Sequence, residues 1–422
     1  AAGACKGGAC AGASPVSCPP PDGCHVAAAC DSAAGCSGPA AEKPDGARCD
    51  LPDAWHFAAR IPLGLLDGER ATLLQDGTVL VVGDWRSDPH VPGYSVGMRY
   101  DPSTDSWRPA GGGRIDPGAS RATLLHDGTV LSTSSAGAAQ RFYPATGAWR
   151  SAATMISRHV EHTATRLQDG RVLVAGGHGH DRDGEVTTVE IYDPESDAWT
   201  VAADLNVARW GHTATLLSDG KVLVAGGGVA GEVGSLTSAE VYDPETDTWT
   251  PVAPMRLGRV HHGAALLQDG RVLLVAAESD EVSNTAEIYD PGSDTWTSTG
   301  EMVAGRYQPE PVLLSDGRVL VVGNAQSLGG TPVAHGAELY DPASNAWTPA
   351  PPMEVVPFVQ AATRLDDGRV LIAGASVRGH PLARAWIYVP GELRPSGVCH
   401  GGACLPEGGG EGGAGGSCGP TS

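Results

Sequence analysis

One short string, Asp-Gly-[Thr/Arg/Lys]-Val-Leu, occurs seven times, starting at Asp76, Asp127, Asp169, Asp219, Asp269, Asp316 and Asp367. The spacings are 51, 42, 50, 50, 47 and 51 residues. A period of this length marks a supersecondary unit that buries its faces only by stacking on copies of itself. Two further marks keep step with it. A tyrosine recurs at Tyr100, Tyr143, Tyr192, Tyr242, Tyr289, Tyr340 and Tyr388, and a tryptophan follows six or seven residues later at Trp107, Trp149, Trp199, Trp249, Trp296 and Trp347. No tryptophan follows Tyr388; Trp55, at the other end of the repeat region, has the same local sequence as Trp199 (Asp-Ala-Trp). Each unit reads as four short strands. In the fourth unit, strand A is Gly211-His-Thr-Ala-Thr-Leu-Leu, with Asp219-Gly220 as its hairpin turn. Strand B starts at Lys221, strand C at Ser238 and strand D at Thr248. The residue two before each tryptophan is Asp53, Asp105, Gly147, Asp197, Asp247, Asp294 or Asn345, all types that tolerate the left-handed backbone of a tight turn.

The strand ending in Gly-Gly (Gly176-Gly177, Gly226-Gly227), then Glu-x-Tyr, then Trp, resembles the kelch repeat over roughly residues 53–390. The resemblance is to secreted bacterial kelch propellers with a galactose-oxidase-like central fold. It implies an all-β, seven-bladed propeller in which Trp55 supplies the outer strand of the last blade, so that the two chain ends close the ring. The expected organisation is a Cys-rich segment at 1–50, the propeller at 51–392, and a Cys-containing, Gly-rich tail at 393–422.

The 10 cysteines respect those borders. Cys5, Cys10, Cys18, Cys24, Cys30, Cys36 and Cys49 precede the repeats, and Cys399, Cys404 and Cys418 follow them. With no C-x-x-C, zinc ribbons and thioredoxin-type motifs fit poorly. Dense cysteines in Gly/Ala/Pro-rich segments read as disulfide staples, which places the protein outside the cytoplasm, secreted or on the cell surface, with a signal peptide already removed. Seven and three are both odd, so if all pair within one chain at least one bridge joins the two termini; the closed ring points to Cys49 with Cys399 or Cys404. The net charge of −21 repels nucleic acid and anionic membranes, and no run of 18 apolar residues would span a bilayer.

The A–B and C–D turns are nearly constant and lie on one face. The B–C and D–A segments vary and lie on the other, where an individual site is expected. Arg158, Arg209, Arg259 and Arg306 stand ten or eleven residues before the Asp-Gly turns of blades 3 to 6, and Glu190, Glu240, Glu287 and Glu338 stand in strand C of the same blades. They read first as buried, bidentate Arg–Glu pairs and second as an anion-binding ring. His162, His212 and His262 share one position and read as packed strand residues. His159, Trp210, His261, Tyr307 and Phe358 sit beside the arginines and form a candidate sugar- or peptide-binding rim. In blade 3, His178, His180, Asp181, Asp183 and Glu185 offer two imidazoles and three carboxylates to a divalent cation such as calcium; Glu278, Asp280 and Glu281 read as a charged loop.

The galactose oxidase family implies a copper site with a Cys-linked tyrosine, a second tyrosine and two histidines. This chain has no cysteine between Cys49 and Cys399, and Arg259-Val-His261-His262 carries His261 where that family's stretch has the ligand tyrosine. A copper-radical oxidase is therefore not expected. Kelch-like sugar epimerases would need an acid/base pair, for which Arg158, His159, Glu161 and His261 are available. The expected function is a non-enzymatic recognition propeller that binds a protein or glycan through the B–C/D–A face. No cofactor is expected apart from a cation such as calcium. One alternative is a structural subunit that links copies of itself through its terminal segments; the other is an epimerase-like sugar-active enzyme.

Overall fold

A computed structural model of the chain describes residues 53–62, 67–85, 94–111, 119–179, 186–229, 234–276, 284–326, 336–353, 359–377 and 380–391, together with the backbone of short strands in the terminal segments. The chain divides into two units, Trp55–Tyr388 and a terminal unit of Ala1–Ala54 with Val389–Ser422. The first is an all-β, seven-bladed propeller, each blade a four-stranded antiparallel sheet. Blade 4 comprises Thr213–Leu216, Val222–Ala225, Ala239–Asp243 and Thr248–Val252. Blade 7 takes Val359–Arg364, Val370–Val377 and His380–Val389 from the end of the repeats and Ala54–Phe57 as its outer strand.

Strand B is apolar without alternation (Val222, Leu223, Val224, Ala225) because both of its faces are covered by neighbouring blades, and all four residues are buried. The cores accordingly lie between blades: Leu173, Val189 and Ile191 of blade 3 pack with Val222, Val224, Tyr242 and Trp249 of blade 4. Burial of this kind contributes roughly 1.5–3 kcal/mol per large side chain.

The repeated tryptophan is the fastener between blades. Its indole N–H donates to the chain just beyond strand D of the preceding blade: Trp107 to Ala59 O, Trp149 to Ala110 O, Trp199 to Ala153 O, Trp249 to Ala203 O and Trp296 to Ala253 O, at 2.7–2.9 Å. Trp347 uses Thr299 Oγ1 at 3.1 Å, and Trp55 closes the ring on Pro351 O at 2.8 Å. The turn residue two before the tryptophan works beside it. Asp247 is left-handed (φ 51°); its Oδ1 accepts the Tyr242 hydroxyl at 2.8 Å and the Ala203 N–H of the previous blade at 2.9 Å.

Blade 2 departs from the sequence reading. Phe142, not Tyr143, lies opposite Trp149 in the ladder, with ring centroids 5.0 Å apart. A phenyl ring has no hydroxyl to satisfy, and the turn there carries Gly147 (φ 68°) instead of an aspartate.

In the terminal unit, Arg48–Cys49 pairs with Gly397–His400, which pairs with Ala403–Pro406, so strands from both chain ends share one sheet. Cys49 is opposite Gly397, and Cys399 is opposite Cys404. A second sheet sets Cys5 opposite Cys10 and Cys30 opposite Cys36. The side chains of all ten cysteines lie outside the described residues, as do Cys18, Cys24 and Cys418 altogether.

Two outcomes follow. Asp247→Ala loses two hydrogen bonds and keeps a Cβ in left-handed backbone, so it is expected to cost about 2 kcal/mol, whereas Asp247→Gly loses the same bonds but relieves that strain and is expected to cost about 1 kcal/mol. Urea titrations of the two variants measure the difference, and equal midpoints would show that the backbone strain is immaterial. A non-reducing peptide map is expected to contain a fragment joining residues 1–49 to residues 397–422. Bridges confined within each terminal segment would refute the closure by disulfide.

Candidate functional site

Strand A of each blade starts on the face carrying the B–C and D–A segments, and a buried polar anchor fixes its entry. In blade 4, Arg209 Nη1 donates to Gly226 O and Ser238 O (2.7 and 3.0 Å), and Nη2 donates to Glu240 Oε1 at 3.0 Å. Glu240 also accepts the backbone N–H of Asn206 at 2.9 Å. The arginine thus holds the B–C segment, the glutamate holds the D–A segment, and the two hold each other. Arg259–Glu287 and Arg306–Glu338 repeat this at 3.0 and 2.8 Å. The contact to the carboxylate runs through one guanidinium nitrogen, Nη2, not the bidentate fork expected from sequence, and Nη1 serves backbone carbonyls. All three arginines are fully buried.

Blade 3 corrects the expected alignment. Arg158 is exposed. The anchor position is filled by the buried His159, whose Nδ1 bonds Gly176 O at 2.8 Å and whose Nε2 bonds Glu190 Oε1 at 3.2 Å. Both ring nitrogens thus face an oxygen, one on the B–C segment and one on strand C. Burial pushes the Glu190 carboxyl up, but the bonds from His159 and the backbone outweigh it and hold the carboxyl below its ordinary range. His159, Arg209, Arg259 and Arg306 therefore stand behind the rim. Phe358 lies outside the described residues, as do His180, Asp181, Asp183, Glu185, Glu278, Asp280 and Glu281.

Two residues past each anchor the chain turns left-handed: Glu161 (φ 59°), Gly211 (φ 60°), His261 (φ 54°) and Gln308 (φ 44°). Non-glycine residues in this conformation cost about 1–3 kcal/mol each, and such strain collects where a side chain must be aimed. Here it aims His261 across blade 4. The His261 N–H donates to Gly211 O at 2.8 Å. Its ring passes so close over Gly211 that a Cβ there would lie 2.9 Å from it. His261 Nε2 then meets Glu161 Oε2 of blade 3 at 2.9 Å. The candidate acid/base residues Glu161 and His261, 100 positions apart, are brought together; Arg158 and His159 do not join them. Burial raises the Glu161 carboxyl, but the His261 bond and the charges of His261, His178 and Arg121 outweigh it, and the group lies below its ordinary range.

An aromatic row continues from this pair. His178, Trp210, His261 and Tyr307 follow one another with ring centroids 6.0, 5.4 and 6.4 Å apart. Trp210 is backed by Gly228, where a Cβ would lie 2.7 Å from the indole, and the two residues exchange backbone hydrogen bonds. A cavity of about 280 Å³ adjoins the row, lined among others by Arg121, Thr163, Gly211, Thr213, His261 and Gln308. Sequence reasoning missed Gly211 and Gln308. The available signal was that Glu161, Gly211, His261 and Gln308 all stand eight residues before an Asp-Gly turn.

His162, His212 and His262 form a second tier, with Nε2 bonded to Thr133, Thr163 and Thr213 of the preceding blade at 2.8, 3.0 and 2.9 Å. Burial, reinforced by Arg209, depresses His212 well below its usual value, and burial with Arg259 and His261 brings His262 to about 3.

The geometry describes a class: a seven-bladed propeller with a polar and aromatic mouth over blades 3 to 6. Residues 163–206 and 209–256 match the Kelch motif. No curated protein matches the chain. Among solved structures it is similar to a fungal alcohol oxidase of the AA5 family in complex with copper. The TM-score is 0.62 and the identity 16%, over 79% of this chain and 76% of the other. At that identity the likeness extends to the fold alone. A copper-radical site does not fit this mouth. The repeats themselves contain no cysteine, and His261 Nε2 is bonded to Glu161. Among the described residues no group of three or more His, Cys, Asp or Glu side chains is arranged to hold a metal ion.

The low value for His262 has a sign. Between about 3 and 6.5 the unfolded chain binds a proton that the folded chain refuses. Stability from this group is complete above pH 6.5 and is lost as pH falls towards 3. Proton NMR is expected to show no titration of the His262 ring between pH 5 and 8; a midpoint near 6.5 would contradict its neutral, buried state.

Proposed function

We propose that this protein is a recognition propeller acting outside the cytoplasm, which takes a glycan or protein ligand at the mouth formed by blades 3 to 6. The observation that carries the reading is the Glu161–His261 contact, held at 2.9 Å across an intervening blade and flanked by Trp210 and Tyr307. Polar groups fixed among rigid aromatics are the usual composition of a small-ligand site. Strain in non-glycine backbone at three of the four rim positions supports the same reading. The dense terminal cysteines support an oxidising location.

A second reading is favoured by the same contact. A carboxylate within hydrogen-bond reach of an imidazole is an acid/base pair, and a sugar-active enzyme would use it. His261→Asn separates the two readings, because it abolishes turnover in an enzyme and only weakens retention in a binder.

The test of recognition is retention of the labelled full chain on extracellular polysaccharide and surface-protein fractions. Trp210→Ala and Tyr307→Ala are expected to lose retention by about tenfold or more, while Lys221→Ala, beyond the Asp-Gly turn of blade 4, leaves it unchanged. Equal retention by all variants would remove the mouth as the binding site.

A further inference from the structure

Nearly the same six-residue string stands on both sides of the repeats: Cys5-Lys-Gly-Gly-Ala-Cys10 before them and Cys399-His-Gly-Gly-Ala-Cys404 after them. The two copies pair in the same register. Lys6 is opposite Ala9 and Cys5 opposite Cys10; His400 is opposite Ala403 and Cys399 opposite Cys404. The pair that flanks a two-residue hairpin connection exchanges both backbone hydrogen bonds, so the next pair is a non-hydrogen-bonded one, where the chains come closest. Its Cα spacing of about 4.5 Å falls inside the roughly 4.4–6.8 Å that a disulfide spans. A third hairpin sets Cys30 opposite Cys36. Residues 1–50 hold two valines and no Leu, Ile, Met, Phe, Tyr or Trp. Short strands of that composition have no apolar face to bury and are marginal in water by themselves, which leaves covalent closure to hold them.

We propose that Cys5–Cys10, Cys30–Cys36 and Cys399–Cys404 are three cross-strand disulfides, each clasping one hairpin of the terminal segments. The proposal rests on the oxidising location given above. Each pair of thiols gives two electrons and two protons to a disulfide oxidant, which leaves as two thiols. A metal cage accounts for less. Gly3, two positions before Cys5, is opposite Cys30, so Cys5, Cys10, Cys30 and Cys36 share one face of a sheet, and four cysteines are the donor count of a structural zinc site. The second copy of the string lacks that set: among the described residues its sheet adds Cys49 alone, opposite Gly397. What both copies share is the opposed pair. The three clasps also move the link between the terminal segments. Cys18, Cys24, Cys49 and Cys418 remain, and of these Cys418 alone follows the repeats. If all ten pair within one chain, the link runs through Cys418 and not through Cys399 or Cys404.

The experiment alkylates two samples of the full chain without reductant and maps their peptides by mass spectrometry. One sample comes from the native source; the other is reduced and refolded against glutathione disulfide. Cleavage after Lys6 parts Cys5 from Cys10, cleavage before Asp31 parts Cys30 from Cys36, and cleavage after Glu392 and Glu407 releases Cys399 and Cys404 on one peptide without Cys418. The expected map links the first two pairs of fragments and shows peptide 393–407 unalkylated and lighter by two hydrogens than its reduced form. Cys49→Ser is expected to expose a thiol at Cys18, Cys24 or Cys418 and to leave Cys399 and Cys404 unlabelled; the map of the unaltered chain decides alone if that variant does not fold. Cys399 linked to Cys49, or Cys5 and Cys10 linked to Cys30 and Cys36, would overturn the pairing. Bound zinc, with the four N-terminal cysteines alkylated only after chelation, would overturn it as well. The expected links in the refolded chain beside free thiols in the native sample would overturn the oxidising location and leave the pairing standing.

Discussion

Each tryptophan of the repeat reaches back one blade with its indole N–H, and the ring stands on those bonds. Trp199 donates to Ala153 O at 2.7 Å, Trp249 to Ala203 O at 2.9 Å, and Trp55 to Pro351 O at 2.8 Å. The acceptor is always chain that has just left strand D of the preceding blade, which would otherwise be an unpaired edge leaving the sheet. One bond of this kind is worth about 1 kcal/mol net. Its larger consequence is geometric: it fixes the distance at which the next blade packs, and that distance lets strand B be apolar on both faces. The aspartate two residues earlier adds a second tie to the same chain, as Asp247 does to the Ala203 N–H.

Anchors on the opposite side of the blade do different work. A buried Arg–Glu pair is weak evidence for stability in general, because removing both charges from water offsets most of their attraction. In blades 4 to 6 the charges are spent on the backbone as much as on each other. Glu338 accepts the Val303 N–H at 2.7 Å, and Arg306 donates to Gly323 O and Gly336 O at 3.1 and 3.0 Å. These are donors and acceptors that irregular segments leave without strand partners. The pairs thus make the variable segments rigid where they enter strand A, and the mouth inherits that rigidity.

Much of this frame was legible because it repeats. The Asp-Gly turns, the tryptophans and the supply of the last outer strand by Trp55 all follow from seven copies of one pattern, and strand limits in blade 4 came within two residues of those observed. Errors fell where one blade departs from the rest. Tyr143 drew the eye in blade 2, yet the residue seven before Trp149 is Phe142, and packing follows register, not residue type. Arg158 drew it in blade 3, yet the anchor is His159, ten residues before Asp169 as Arg209 is before Asp219. Spacing counted to the residue would have corrected both. The Glu161–His261 contact is different in kind. Its members are 100 residues apart, and their meeting depends on backbone angles that sequence does not display.

That contact shows how a nearly symmetric ring acquires a single site. Four blades offer the same left-handed position to the mouth, filled by Glu161, Gly211, His261 and Gln308. Had all four been alike, the mouth would present a ring of equal groups, each near its own blade. Gly211 breaks the equivalence by omission. With no side chain there, His261 lies flat against blade 4 and spans to blade 3, so two neighbours-but-one become partners. The specificity of the mouth therefore depends as much on the atom missing at residue 211 as on the carboxylate and imidazole that meet across it. A side chain at that position would return Glu161 and His261 to separate blades.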